Sequence, residues 1–217
     1  QFVGEEALAA VGASYSLTTV FIMIAIGGGI GASVITPQYL GAKYYRKMKT
    51  SVYTALISFL TLSMILSVIG LFFNRTILTA LNTPENIMPD AVLYLKIYFL
   101  GLPFLFMYNI LSSVFNALGN SRTPLYLLIF SSLLNIVMDL VMVKGFHMGV
   151  AGVAIATVFA QGLSAVISFC LLMKTLKHYK EEERKEEKQQ IYDFSMLGNM
   201  IKVALPSMLQ QSIVSIG

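Results

Sequence analysis

One acidic side chain lies inside a long apolar segment and is the first candidate for chemistry. Between Thr123 and Val143 the sequence carries a single charged residue, Asp139. A carboxylate in hydrocarbon is costly, so such a group normally faces a water-filled cavity or a partner. Asn135 precedes it by four positions and therefore projects from the same face of a helix. Thr157 lies in the next apolar segment, at a similar predicted depth in the membrane.

These three side chains predict either a cation site or a proton site. A carboxylate, an amide oxygen and a hydroxyl at one depth are hard oxygen ligands, which suit a small hard cation such as Na⁺. A low-dielectric pocket favours the neutral form of a carboxylate, so the same group could instead carry a proton. A third interpretation gives Asp139 a purely structural role. It precedes Lys144 by five residues, about 8 Å along a helix, and could form an interfacial ion pair with it.

Four amide side chains in or beside apolar segments are weaker candidates. Each could line a path, but hydrogen bonds between helices are the favoured interpretation for all of them: Gln38, Asn109, Asn116 and Gln161. The single cysteine, Cys170, excludes a disulfide within the chain. No nucleophile motif, phosphate-binding loop or Cys and His pair with metal spacing is present, so the sequence predicts no enzyme. It also predicts no cofactor apart from a bound Na⁺ or H⁺, and no metal beyond Na⁺ at Asp139, Asn135 and Thr157.

Composition sets the class of protein that carries these residues. The 217 residues are 56% hydrophobic and 12% charged, about half the charged fraction of a soluble domain. Several uncharged runs exceed the roughly 20 apolar residues of a membrane-crossing helix. A barrel would instead show alternating segments of about 10 residues. The sequence predicts an all-α, polytopic transmembrane helix bundle with five complete spans and the start of a sixth near 203, the five being 14–38, 51–73, 95–118, 123–144 and 150–173.

Basic residues in the connections predict how the bundle is oriented. The first, third and fifth connections hold 12 of the 15 Lys and Arg residues, and the positive-inside rule places these connections in the cytoplasm. Residue 1 is then external, and the net charge of +4 reflects topology rather than binding to nucleic acid. The apolar run that begins near Val203 stops at Gly217, which is short of a full span. We therefore expect a piece of a longer polypeptide.

Charge and hydropathy divide the chain into three parts. We predict a transmembrane bundle forming a first lobe at 1–173, a cytoplasmic linker with an amphipathic helix at 174–202, and the truncated start of a second lobe at 203–217. The apolar residues of that amphipathic helix fit either the membrane surface or packing against the bundle: Ile191, Phe194, Leu197 and Ile201. Small residues predict close helix packing at two places: Gly27 with Gly31, and Gly145, Gly149 and Gly152 with Ala156.

Several motifs, in order along essentially the whole chain, resemble those of the multidrug and toxic compound extrusion (MATE) transporters. The similar segments are Phe2–Gly4 with Ala7–Gly12, Gln38–Ala42 before a basic loop, Ala117–Pro124, Asn135 with Asp139, and Gly149–Thr157. Their order and spacing together are specific.

The resemblance implies a twelve-helix antiporter of two six-helix lobes, of which this chain covers helices two to six and the start of helix seven. It implies export of cationic or amphipathic compounds across the inner (plasma) membrane in exchange for Na⁺ or H⁺. It also implies that Asp139, Asn135 and Thr157 belong to the cation site of the first lobe, with an acidic residue of a first helix that this sequence lacks. The expected partners are the lipid bilayer, the small-molecule substrate and the second lobe.

Two other functions are compatible with the sequence. A flippase for lipid-linked oligosaccharides or polysaccharides belongs to the same superfamily, but would favour basic residues in its cavity, and no Lys or Arg lies in the interior of a predicted span. A non-transporting membrane scaffold is the other, and unchanged function in an Asp139→Asn variant would favour it.

Overall fold

The computed structural model describes residues 5–179 and 190–216, and the regular structure of these residues is entirely helical. Six α-helices follow one another: α1 (Glu5–Gly41), α2 (Tyr45–Ala80), α3 (Met88–Ala117), α4 (Arg122–Asp139), α5 (Gly149–His178) and α6 (Phe194–Ile216). A π-helical segment, Leu140–Gly145, continues α4. The all-α prediction is confirmed. The motif Phe2–Gly4 and residues 180–189 of the predicted linker lie outside the described ranges.

Five helices are long and apolar enough to cross a membrane, and they coincide with the five predicted spans. Their ranges are Leu17–Gly41, Tyr45–Ala80, Met88–Ala117, Arg122–Gly145 and Gly149–His178. The helices extend beyond the predictions: α2 has 36 residues and is about 54 Å long, whereas the hydrocarbon core measures about 30 Å. Hydropathy detects only the apolar middle of a helix, so the polar turns at its ends escape prediction.

α3 lies at the centre of the bundle and contributes to two apolar cores. Near the basic first connection, Ile110 of α3 shares a core with Val52 of α2 and Leu172 of α5. Toward the other face of the bundle, Phe99 of α3 shares a core with Ala25 of α1. α5 packs along α3 and is also in extensive contact with α4. α3 thus fixes α5, and α5 in turn positions α4 and the π-helical segment.

A glycine run in α1 lets three neighbouring helices approach its backbone. A Cβ added to Gly28 would collide with Phe59 of α2, and one added to Gly29 would collide with Ser113 of α3. A Cβ on Gly31 would lie 2.5 Å from the main-chain oxygen of Met200 in α6. The predicted close packing at Gly31 is thereby confirmed, and its partner is α6.

The last helix differs from the sequence prediction. A short amphipathic helix in the linker and a separate helix beginning near residue 203 are expected, but the structure has one continuous helix, α6. Met196, Met200 and Ala204 are buried, whereas Phe194 and Ile201 are exposed. The face of α6 that packs against the bundle is thus a different one, and the predicted apolar stripe lies largely outside this contact, since Ile191 is also exposed and Leu197 is only half-buried. The division of the chain into lobes stays a prediction.

Candidate functional site

The candidate site begins where α4 widens into a π-helix. Asp139 is the last residue of α4, and Leu140–Gly145 forms the π-helical segment. The Phe146 N–H donates to the Val141 carbonyl at 3.0 Å, a spacing of five residues. Short π-helical segments are rare and frequently occur at functional sites. The change in winding makes Asp139 the boundary between two backbone geometries.

Asn135 and Thr157 are in direct contact across α4 and α5. The Asn135 Nδ2 donates to the Thr157 Oγ1 at 3.3 Å, and the Thr157 hydroxyl donates to the Val153 carbonyl at 3.0 Å. Asn135 lies one helical turn before Asp139 and on the same face of α4. The structure thus brings two of the three predicted site residues together and places the third on the adjoining turn.

The Asp139 carboxyl group has a buried oxygen without a donor. Its Oδ1 has no hydrogen-bond partner among the described residues. Leaving a buried polar atom unpaired costs about 1–3 kcal/mol, and such atoms in native proteins generally have a specific reason. A bound cation or a proton would satisfy this oxygen.

Gly152 holds the π-helical segment close to α5. A Cβ on Gly152 would lie 3.1 Å from the Met142 Cβ and 3.2 Å from the Met142 carbonyl carbon, so a side chain here would press on the segment that follows Asp139. Of the three glycines predicted to form one small packing face here, only Gly152 meets a neighbour. Gly145 and Gly149 have open space around the Cβ position, and Gly149 has a φ of +55°. Gly145 ends the π-helical segment and Gly149 begins α5, so these two glycines flank the turn between the helices instead.

The four weaker candidates lie in different surroundings. Gln161 is half-buried and follows Thr157 by one turn on α5. Asn109 is half-buried, and its Nδ2 donates to the Leu105 carbonyl of its own helix at 2.8 Å rather than linking two helices. Asn116 and Gln38 are exposed. Only Gln161 extends the group formed by Asn135, Asp139 and Thr157.

Two buried serines of α5 were not among the sequence candidates. The Oγ atoms of Ser164 and Ser168 are enclosed and lack a hydrogen-bond partner in the ranges that the structure describes. Both residues continue the face of α5 that carries Thr157 and Gln161. The spacing of the four residues could have indicated this face, but the missing partners become visible only in three dimensions. Within the described residues no group of three or more His, Cys, Asp and Glu side chains could hold a metal ion.

Five apolar spans define a multi-pass membrane protein, and half-buried polar side chains that meet between two of the spans are typical of the transporter class. The chain belongs to the MatE family of multidrug efflux transporters, whose sequence model matches residues 1–141. This membership confirms the resemblance found in the sequence and the prediction that the protein is not an enzyme.

Two relatives and one solved structure illustrate the match. The chain is 31% identical over 223 residues to "Probable multidrug resistance protein YoeA" of Bacillus subtilis (strain 168), covering 100% of this chain and 47% of the relative. It is 26% identical over 179 residues to "FAD transporter" of Shewanella oneidensis, covering 81% of this chain and 39% of that protein. "Crystal structure of MATE in the bent conformation" superposes with a TM-score of 0.88 at 22% identity, over 98% of this chain and 47% of that one. The chain thus spans about half the length of the proteins it matches, and the structural likeness supports the fold.

Proposed function

We propose that this chain is part of a cation-coupled efflux antiporter in which Asp139 is the coupling carboxylate. The observation that carries the proposal is the buried Asp139 Oδ1, which has no hydrogen-bond partner in the described part of the chain. Within a span, such an oxygen is suited to bind a cation or to accept a proton. Asn135 and Thr157 supply the further oxygen atoms, held together by their mutual hydrogen bond.

The coupling follows from the two forms of the site. With Na⁺ or H⁺ bound, the Asp139 carboxylate is neutralised and its burial in the bundle is favourable; without the ion, a charged carboxylate favours a hydrated arrangement. An ion that binds one arrangement better shifts the equilibrium between them. When a second lobe rocks against the first, this shift opens the site alternately to the two sides of the membrane. We propose that the protein lies in the inner membrane, with residue 1 on the external side and the 174–202 linker in the cytoplasm.

We propose cationic or amphipathic compounds as the exported substrates. The chain carries no Lys or Arg from Ala7 to Ala42 or from Gly145 to Met173, so most of the length of α1 and α5 offers no positive charge to repel a cation. YoeA is named for multidrug resistance and the Shewanella relative for FAD. Family membership alone therefore does not name the substrate.

The test uses the full-length protein in inverted membrane vesicles. Export of a fluorescent cation is followed with and without an imposed Na⁺ or H⁺ gradient, for wild type and for Asp139→Asn. Asp90→Asn is the matched control, because it removes a carboxylate from the first turn of α3, outside the site. We expect gradient-driven export to be lost in Asp139→Asn and kept in Asp90→Asn at equal expression. The gradient that drives export by the wild type, Na⁺ or H⁺, identifies the coupling ion. Normal export by Asp139→Asn would refute the coupling role.

A further inference from the structure

Four polar residues of α5 lie on one face of the helix and lead away from the Asn135–Thr157 contact. This α5 polar stripe consists of Thr157, Gln161, Ser164 and Ser168. Steps of four, three and four residues at 3.6 residues per turn keep all of them within an arc of about 60°, over a length of about 16 Å. The stripe runs toward the end of α5 that carries Lys174 and Lys177.

The two serines of the α5 polar stripe are enclosed but unpaired. Their exposed fractions are 0% and 1%, and neither Oγ has a hydrogen-bond partner among the described residues. A serine inside a membrane helix can donate to a carbonyl of its own preceding turn. Ser112 of α3 does so, to the Tyr108 carbonyl at 2.9 Å. Ser164 and Ser168 do not, so their hydrogen-bonding capacity is left for a different partner.

Unpaired buried oxygen atoms lie at one end of this stripe and on the helix that its other end contacts. At one end, Thr157 contacts Asn135, which shares a face of α4 with Asp139 and its unpaired Oδ1. At the other end are the two serines, and the half-buried Gln161 lies between them and Thr157. Bound water is the usual partner of buried polar atoms that lack a protein partner, provided that several polar groups converge on it. The α5 polar stripe offers such groups in succession.

We propose that Ser164 and Ser168 bind water, and that this water continues past Gln161 as a hydrophilic path between Asp139 and the basic end of α5. The inference rests on the proposed function in that it takes Asp139 as the destination of the coupling ion. Hydroxyl, amide and water oxygens can relay a proton by hydrogen bonds or replace the hydration of Na⁺. The path therefore serves either ion and opens toward the predicted cytoplasmic side.

Thiol accessibility tests the water directly. Ser164→Cys and Ser168→Cys are made separately in the full-length protein, in a background freed of other cysteines, including the exposed Cys170. Ala165→Cys is the control, because Ala165 is 4% exposed and lies at the same depth but off the stripe. Membranes are treated with a small, charged methanethiosulfonate reagent. We expect both stripe thiols to react at least about 10-fold faster than the Ala165→Cys thiol. Rates equal to the control would show a dry core and overturn the proposal.

Transport then tests whether the ion uses the path. We expect the Ser164→Ala/Ser168→Ala double variant to lose about 10-fold in gradient-driven export, whereas Ser112→Ala keeps it. The double variant should remain folded, because alanine fits a buried site of this size, and its melting temperature checks this. Wild-type export by a folded double variant would overturn the path even if the thiols react.

The two proposals fail in distinguishable ways. Normal export by Asp139→Asn would refute the coupling role of Asp139, whatever the reaction rates of the introduced thiols are. Loss of export in Asp139→Asn together with unreactive stripe thiols would remove only the water path.

Discussion

Asn135 and Thr157 are oriented toward each other by the bonding of the threonine hydroxyl. Because the Thr157 hydroxyl donates to the Val153 carbonyl at 3.0 Å, its oxygen is available to accept the Asn135 Nδ2 hydrogen at 3.3 Å. With the amide nitrogen engaged in this bond, the amide oxygen is the atom that remains to act as a ligand beside Asp139. The contact therefore determines that the amide oxygen of Asn135, and not its nitrogen, is available as an ion ligand.

Removing the Thr157 hydroxyl tests this arrangement. Thr157→Val keeps the shape of the side chain but removes both hydrogen bonds, so the Asn135 amide loses its fixed orientation. We expect the ion concentration for half-maximal export to rise about 10-fold, as on loss of the groups that orient ion ligands. Thr175→Val is the control, because Thr175 Oγ1 donates to the Leu171 carbonyl of its own helix. An unchanged ion dependence in Thr157→Val would contradict the assignment of these ligands.

The contact between Gly152 and Met142 makes a prediction about the π-helical segment. A valine side chain at 152 would meet Met142 atoms that already lie 3.1–3.2 Å from the Cβ position. We expect Gly152→Val to push the segment away from α5, to lower stability by about 1–3 kcal/mol and to impair ion-coupled export.

The control for this variant is Gly12→Val, since a Cβ on Gly12 has no atom within 4 Å. Melting temperature and export are measured for both variants in the full-length protein. If Gly152→Val has the stability and ion dependence of the control, the segment does not depend on this contact.

The sequence was sufficient to predict the five spans and the proximity of Asn135 and Thr157. Helical periodicity places Asn135 and Asp139 on one face of their helix. The antiparallel order of the two spans places Thr157 at a similar depth in the membrane. Both arguments depend only on helix geometry and membrane thickness, which vary little among membrane proteins. The resulting contact between Asn135 and Thr157 is present in the structure.

Features that depend on neighbouring helices could not be predicted from the sequence. The π-helical segment after Asp139 has no local signal, and its close approach to Gly152 of α5 is visible only in the structure. The unpaired state of Ser164 and Ser168 follows from which atoms surround them. Lipid and protein interior select the same apolar residue types, so the sequence did not indicate which face of α6 meets the bundle. The structure shows that it is the face of Met200, which approaches Gly31.

That contact leads to a prediction for Gly31. Glycine to alanine inside a helix ordinarily stabilises it by about 1 kcal/mol. At Gly31 the new Cβ would lie 2.5 Å from the Met200 main-chain oxygen, and a backbone atom cannot rotate away. We expect Gly31→Ala to lower the melting temperature of the full-length protein by several degrees by separating α1 from α6. Gly41→Ala, with open space around its Cβ position, should have no such effect. Equal melting temperatures would show that this crossing is loosely packed.

The start of α6 is held by polar contacts that give a further prediction. The Thr50 Oγ1 donates to the Gln190 carbonyl at 2.6 Å, and the Asp193 N–H donates to the Thr54 Oγ1 at 3.0 Å. These bonds attach the residues that precede α6 to one face of α2. We expect Thr54→Val to increase hydrogen exchange at the first turn of α6, whereas Thr61→Val, whose hydroxyl bonds within α2, should leave it unchanged. Equal protection in both variants would contradict an attachment at this position.

Asp193 caps α6, and its removal should weaken the same turn for a different reason. The Asp193 Oδ1 accepts hydrogen bonds from the Ser195 and Met196 N–H groups at 2.7 and 3.2 Å, which satisfies two of the unpaired donors of the first turn. Asp193→Ala should cost about 1 kcal/mol, whereas Asp193→Asn, which keeps an accepting oxygen, should retain most of the stability. Thermal unfolding of the full-length protein and hydrogen exchange at 194–197 measure the difference. If alanine and asparagine behave alike, the negative charge near the positive end of the helix dipole, rather than the capping oxygen, provides the stabilisation.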